Sequence, residues 1–283
     1  MSTITTEIGI ETFVNTDVPS LPGSALRVAA LAQDINASAR AVADAIGCDP
    51  IMAARILRAA NSPLYAPERP VTSLQTAVGT LGNQAIHALV ILNAASDTFN
   101  KTSPRSPAQR VLWEHSVAVG LTAREISVAL GMRGGEESFI CGLLHDIGKL
   151  ILQRYDAKLY GQVEAIDDEQ EMLTLEQELY GYTHSQIGAL VAKRWNLPED
   201  VCYAIYYHHQ PSSAGQAMLM ARTVDVADAL VNRAGIGLRQ TTTDTDDLLE
   251  TESVIALRLS EEQLQEVWRK AEASMLEMVH LFG

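Results

Sequence analysis

Residues 141–149 read CGLLHDIGK. An imidazole and a carboxylate, His145 and Asp146, stand side by side inside apolar text that keeps helical spacing over 137–154. Neither group belongs in an apolar core unless a metal or a hydrogen-bond network satisfies it. Outward from this pair, further histidines and aspartates recur, each flanked by apolar residues. His115 lies in WEHSVAVGLTARE, His184 in YGYTHSQIGALVAKRW, His208 and His209 in IYYHHQP, and Asp225 and Asp228 in ARTVDVADAL. The helical patterns that carry them run over 108–130, 137–154, 171–180, 184–195, 199–209 and 214–234.

Groups from separate helices that all face inward describe a divalent-metal site. The donors are imidazole and carboxylate without thiolate, which suits iron, manganese, nickel or zinc rather than calcium. Asp146 has two oxygens and can bridge, so one or two ions fit the donor set. Gly148 allows another backbone to come close. Lys149 follows His145 by four residues, which on a continuous helix places both on one face. A lysine there can hold a phosphate oxygen beside a metal whose water, at lowered pKa, attacks a phosphoester. Asp146 and Lys149 are thus the candidate catalytic pair if the site turns over. His87, in AIHALVIL, and His280 read instead as packed or surface histidines outside the set.

The first hundred residues are also helical, but without this chemistry. LPGSALRVAALAQD at 21–34 opens a helix, ARAVADAIG continues after Asp34, Asn36 and Ser38, and Asp49-Pro50 caps and starts IMAARILRAAN. Val71-Thr72-Ser73 starts the next, and Gly82 separates it from NQAIHALVILNAA. NKTSPRSP at 100–107 is polar, holds two prolines and reads as the main internal boundary. QTTTDTDDLLE at 240–250 reads as a loop, and Ser260-Glu261-Glu262 starts a last helix to about His280. No run alternates as strands do, so the fold class is all-α, with subdomains at 1–100 and 101–283.

Composition narrows the partners. The 283 residues carry 21 Lys and Arg against 35 Asp and Glu, a net charge of −14, with 47% hydrophobic residues. That supports a core, and it speaks against a nucleic-acid backbone as ligand. The three cysteines, Cys48, Cys141 and Cys202, are far apart and form no CxxC pair. They suggest neither a disulfide framework nor a zinc ribbon. The N-terminus lacks the pattern of a secretory signal, and the most apolar stretch, Ala85 to Ala95, is too short to span a bilayer. A reducing, cytoplasmic setting is the expectation.

The ordered set His115, HDIGK at 145–149, His184, the pair His208-His209 and Asp228 resembles the HD superfamily of metal-dependent phosphohydrolases. The text at 21–34, DPIMAARILRAANSPLY at 49–65, TSLQTAVGTLG at 72–82, THSQIG at 183–188 and RWNLPEDVCYAIYYHHQP at 194–211 resembles its HDOD branch, a family of bacterial signalling output domains. The resemblance covers roughly residues 18–230. It implies an N-terminal helical bundle packed on an HD-type bundle. It implies His115, His145, Asp146, His184, His208, His209 and Asp228 as metal ligands, with Asp225 as a neighbour of the site or an alternative to Asp228. By family order His208 comes before His209 as a direct ligand. Many members of this branch have lost the metal residues and act as protein-interaction modules, whereas this sequence keeps them. QPSSAGQAML follows His209 where the cyclic-di-GMP phosphodiesterases of the related HD-GYP type carry their GYP element, so that activity is not expected. No receiver, GGDEF or EAL domain fits beside the module. The resemblance therefore implies a stand-alone regulatory protein in a signalling pathway, with a protein partner or a small phosphate-bearing ligand. The alternative is a phosphohydrolase on a nucleotide, cyclic nucleotide or phosphomonoester.

Overall fold

The computed structural model describes residues 20–100, 106–237 and 248–283, all helices, turns and connections. The N-terminal stretch before residue 20, most of the boundary at 100–107 and most of the loop at 240–250 lie outside the described residues.

Helices α1 (Gly23–Gln33), α2 (Ala39–Gly47) and α3 (Pro50–Ala60) lead to the long α4 (Leu74–Asn100). Local chemistry sets their starts. The Ser38 hydroxyl accepts from the Ala41 amide, and the Asp49 carboxylate accepts from Ile51 and Met52 ahead of Pro50. Such caps satisfy amides that a helix start leaves open. Gly82 breaks α4 as expected: its φ of 79° is left-handed, so the two halves of the helix meet at a kink. The second half is buried nearly throughout, from Ala85 to Ala95. Helices α1, α2 and α3 all pack against α4.

After the boundary come α5 (Pro107–Ala129), α6 (Gly135–Leu144), α7 (Ile147–Tyr155), α8 (Ala157–Val163), α9 (Glu169–Tyr180), α10 (His184–Arg194) and α11 (Glu199–Tyr206). Two short 3-10 turns lead to α12 (Met218–Arg233), and α13 (Glu252–Leu257) and α14 (Glu261–Phe282) complete the order. Ser106 and Gln109 form a capping box on α5, Thr183 and Gln186 another on α10, and Ser260 and Gln263 a third on α14. Helix α5 is the spine, packed against α6, α12 and α14. Helix α4 lies on α6, and α14 touches α3, α4 and α5. The buried apolar side chains run without interruption from Val28 and Ile86 to Leu144, Ile205 and Phe282.

Three expectations need correction. The pattern over 137–154 is two helices, because Asp146 (φ −101°, ψ 4°) leaves helical geometry and the chain turns between α6 and α7. Close backbone contacts flank the elbow. A Cβ on Gly142 would lie 2.8 Å from the Val119 carbonyl oxygen, and one on Gly148 would lie 2.0 Å from that of His184. The helix expected over 199–209 stops at Tyr206, so His208 and His209 sit in the turn beyond it. Helix α8 carries no strong apolar period and was not foreseen. Cys141 and Cys202 are buried and Cys48 is exposed, all with free thiols.

Candidate metal centre

The elbow between α6 and α7 presents His145 and Asp146 towards α5, α10, the turn after α11, and α12. His115 comes from α5, His184 opens α10, His208 and His209 come from the turn, and Asp228 lies on α12. All seven residues expected as ligands are brought into one cluster. His145 and His184 are fully buried, and His115, Asp146 and His208 nearly so. The Asp228 oxygen lies 3.0 Å from His115 Nε2 and 3.7 Å from His145 Nε2. Asp146 Oδ2 lies 3.5 Å from His145 Nε2 and 3.8 Å from His115 Nε2, while its Oδ1 lies 3.3 Å from His184 Nε2. Asp146 therefore stands between two groups, His115 with His145 on one side and His184 with His208 and His209 on the other.

The outer nitrogens explain why every ring faces inward. Nδ1 of His115 bonds the Ile236 carbonyl at 2.8 Å, that of His145 the Gly142 carbonyl at 2.7 Å, and that of His208 the Ile205 carbonyl at 2.7 Å. Nδ1 of His184 bonds Glu176 and that of His209 bonds Glu169, each at 2.8 Å. Carbonyls and carboxylates only accept, so each Nδ1 carries a proton and each ring turns its Nε2 towards the cluster, the nitrogen through which an imidazole could hold a cation. Three consequences fit a bound cation. Nε2 of His145, Nε2 of His208 and Oδ1 of Asp146 are buried without a hydrogen-bond partner. Nε2 of His184 and Nε2 of His209 face each other at 2.9 Å, a pairing of two ring nitrogens that needs a proton or a cation between them. The donors are nitrogen and oxygen alone, as divalent transition metals accept.

Electrostatics follow burial and neighbours. Burial alone would raise the carboxyls of Asp146 and Asp228. The imidazoles around them, and Lys149 beside Asp146, overcome it and hold both well below the usual carboxylate range. Burial pushes His208 well below the ordinary imidazole value, with His209 and His145 adding to it. His145 goes the other way: burial opposes its charge, but Asp146 and Asp228 outweigh burial and raise it. Asp225, one turn before Asp228, is raised to about 6 by burial, and its partner is Ser253. Asp228 rather than Asp225 is the carboxylate on the cluster.

Lys149 opens the first turns of α7 and reaches Asp146 Oδ2 at 2.6 Å across three residues. It faces the cluster through this bond, not through a helix face shared with His145. A small cavity of about 40 Å³ lies against the cluster, lined by His115, Asp146, Lys149, Tyr160, Glu164 and Glu169 among others. Space of that size takes a few waters or ions. His87 lies elsewhere, bonded to Gln33 at 2.9 Å. Sequence reasoning missed Glu176, Glu169 and Asn232, the last holding Asp228 Oδ1 at 2.8 Å. Glu176 sits in EQEMLTLEQELY among exposed acids, and only its place eight residues before His184 could have drawn attention to it.

The HDOD domain family model matches residues 18–211 of the chain. The chain belongs to the HDOD family. Asp228 and the Ile236 carbonyl lie beyond the matched residues. An HDOD domain protein of unknown function from Geobacter sulfurreducens has a similar structure, with a TM-score of 0.74 and 27% identity over 96% of this chain and 95% of that one. A protein from Shewanella amazonensis SB2B, provisionally named a phosphohydrolase, shares the fold with a TM-score of 0.80 at 24% identity, over 98% and 99% of the two chains. An uncharacterised protein of Treponema pallidum (strain Nichols) is 24% identical over 196 residues, 68% of this chain and 38% of that protein. This HDOD chain therefore spans well under half of that relative's length. Among the described residues no helix is long and apolar enough to cross a membrane.

Proposed function

We propose that this HDOD protein is a regulatory, signal-transduction protein that holds a divalent transition metal, iron, manganese, nickel or zinc, as one or two ions. His115, His145, Asp146, His184, His208, His209 and Asp228 would hold it. The observation that carries this reading is the common orientation of five imidazoles, each with Nδ1 anchored and Nε2 turned inward. The small cavity supports a regulatory rather than a fast catalytic role. Its wall carries Glu164 and Glu169, and Lys149 is its only lysine or arginine among the described residues, already paired with Asp146. A phosphoester would meet acidic groups before it met a free cation. The N-terminal helices, which lack such a cluster, would face a protein partner, and the acidic charge favours a protein or a small phosphate-bearing ligand over nucleic acid. A cytoplasmic setting fits the free thiols.

A second reading, a metal-dependent phosphohydrolase, draws on Lys149 and on the provisional name of the Shewanella protein. A bound divalent cation would supply Lewis-acid polarisation of a phosphoryl oxygen. Lys149 would orient an anionic oxygen, and Asp146 would keep Lys149 in place. Elemental analysis of protein purified without chelator or added metal tests the shared part of both readings. Turnover of a panel of nucleotides, cyclic nucleotides and phosphomonoesters separates them. The regulatory reading expects stoichiometric metal with negligible turnover, and turnover of a panel member at ordinary enzyme rates overturns it.

A further inference from the structure

Glu176 is a fully buried carboxylate on α9, outside the seven residues proposed to hold the metal. Its Oε2 accepts from the His184 backbone amide and from His184 Nδ1, each at 2.8 Å, and its Oε1 accepts from the Tyr160 hydroxyl at 3.2 Å. Burial works against its charge, but His184 and Lys149 outweigh burial and hold it below the usual glutamate range. Three donors gathered around this one carboxylate offset the cost of burying it.

We propose that Glu176 is a positioning residue that sets the metal affinity of the group His184, His208 and His209. The inference rests on the metal reading above. A carboxylate behind an imidazole fixes its tautomer and raises the basicity of the opposite nitrogen. The two groups on either side of Asp146 differ in this respect. His115 and His145 lean on the backbone carbonyls of Ile236 and Gly142. His184 leans on a buried carboxylate and His209 on the half-exposed Glu169, while His208 leans on the Ile205 carbonyl as the first pair lean on theirs. Glu176 also clamps the first residue of α10 through the backbone, so the ring of His184 and the helix that carries it share one anchor. The two groups are therefore unequal, and Glu176 makes the His184 group the stronger donor.

Glu176→Gln separates charge from shape. The glutamine oxygen can accept from both His184 donors, and its amide can donate to Tyr160, whose hydroxyl accepts equally well. The fold should survive while the charge is lost. The test strips the full chain with chelator and titrates it with Co²⁺, reading metal per chain, affinity and the visible cobalt spectrum. Wild type and an exposed control on the same helix, Glu178→Gln, are expected to match. Glu176→Gln should weaken cobalt binding by about 10–100-fold and alter the spectrum, with a melting curve close to wild type. Tyr160→Phe, which removes one contact to Glu176, should do the same to a smaller degree and serves in its place if Glu176→Gln unfolds. Wild-type affinity and spectrum in Glu176→Gln, or in Tyr160→Phe where it substitutes, overturn the assignment. A wild-type chain that binds no cobalt overturns the metal reading itself, and the role of Glu176 with it.

Discussion

The helices before residue 100 and those after it are built from the same apolar alphabet, but they use burial differently. In the first group the buried polar side chains are Ser62, His87, Asn93, Ser96 and Thr98, and none is a carboxylate. His87 has one side-chain partner, Gln33, and burial lowers its pKa, so it sits as a neutral, packed ring. In the second group His115, His145, Asp146, Glu176, His184 and His208 are all buried, and three of them present atoms without a partner. Before residue 100 the one such atom among the described residues is the Ser62 hydroxyl oxygen, whereas two nitrogens and an oxygen of the cluster are left open together, as a site for a ligand would require. The same ring type thus reads as packing in one place and as a site in the other, and its neighbours decide which.

The sharpest way to break this contrast is through glycine. Gly148 lies against the His184 backbone, and an added Cβ would fall 2.0 Å from a carbonyl oxygen. Neither backbone can yield without separating α7 from α10. Gly148→Ala should cost about 3 kcal/mol or more and lower the melting temperature by roughly 6–12 °C. Gly79, on α4, has no atom within 4 Å of its would-be Cβ. Gly79→Ala should leave the melting temperature unchanged or raise it slightly, by helix propensity. Thermal melts of both variants check the pair, and equal effects would show that the close approach at the elbow carries no stability.

Next in size is the loss of metal. Asp146→Ala removes the group that stands between the two imidazole sets, and metal content should fall to near zero while the helical circular dichroism persists. His87→Gln, a buried histidine of the other region, should keep wild-type metal. Elemental analysis of the three proteins decides it, and unchanged metal in Asp146→Ala breaks the reading of the cluster.

What could be read from the chain follows the same division. His115, His145, Asp146, His184, His208, His209 and Asp228 were legible because ionisable residues in apolar helical text are conspicuous, and their order matches a known pattern. The kink at Gly82 and the starts at Ser38 and Asp49 were legible because glycine and capping residues act locally. The elbow at Asp146 was not: apolar spacing continues from 137 to 154, and the backbones packed closely on either side of it, those of Val119 and His184, are distant in sequence. The expected face shared by His145 and Lys149 went with it. Glu176 was hidden for a related reason. Among Glu169, Glu171 and Glu178 it looks like one more solvated acid, and only the fold shows that it points inward.

A smaller effect is local ordering. Metal that binds the folded site stabilises it by mass action, so hydrogen exchange in α6, α7, α10 and the turn at 207–210 should slow on adding metal to stripped protein. Exchange in α1, α2 and α3 should not change beyond the shift in global stability. Equal protection in both regions would mean that the two respond as one cooperative unit.

The smallest effect separates two aspartates on one helix. Asp228, on the cluster, is held well below the usual carboxylate range, and Asp225, one turn earlier, is raised to about 6. For Asp225 the folded value lies above the unfolded 3.8. Its contribution to stability is therefore fully present below about pH 4 and is lost as the pH rises through about 6. At pH 7.5 the native state carries a buried charge that it would rather protonate. Two pKa units amount to roughly 3 kcal/mol, and partial solvent access reduces this to about 1–2 kcal/mol. Asp225→Asn, an uncharged isostere that can still bond Ser253, should melt higher than wild type at pH 7.5, and the gap should close as the pH falls to 4. Asp228→Asn should do the reverse: it removes a carboxylate whose depressed value stabilises the fold above the unfolded value, so it should melt lower at pH 7.5. Melts of metal-free protein across pH 4–8 read both variants. Asp225→Asn melting below wild type at pH 7.5, or Asp228→Asn melting above it, would mean that the two carboxylates do not have the separate environments that place one on the cluster and the other beside it.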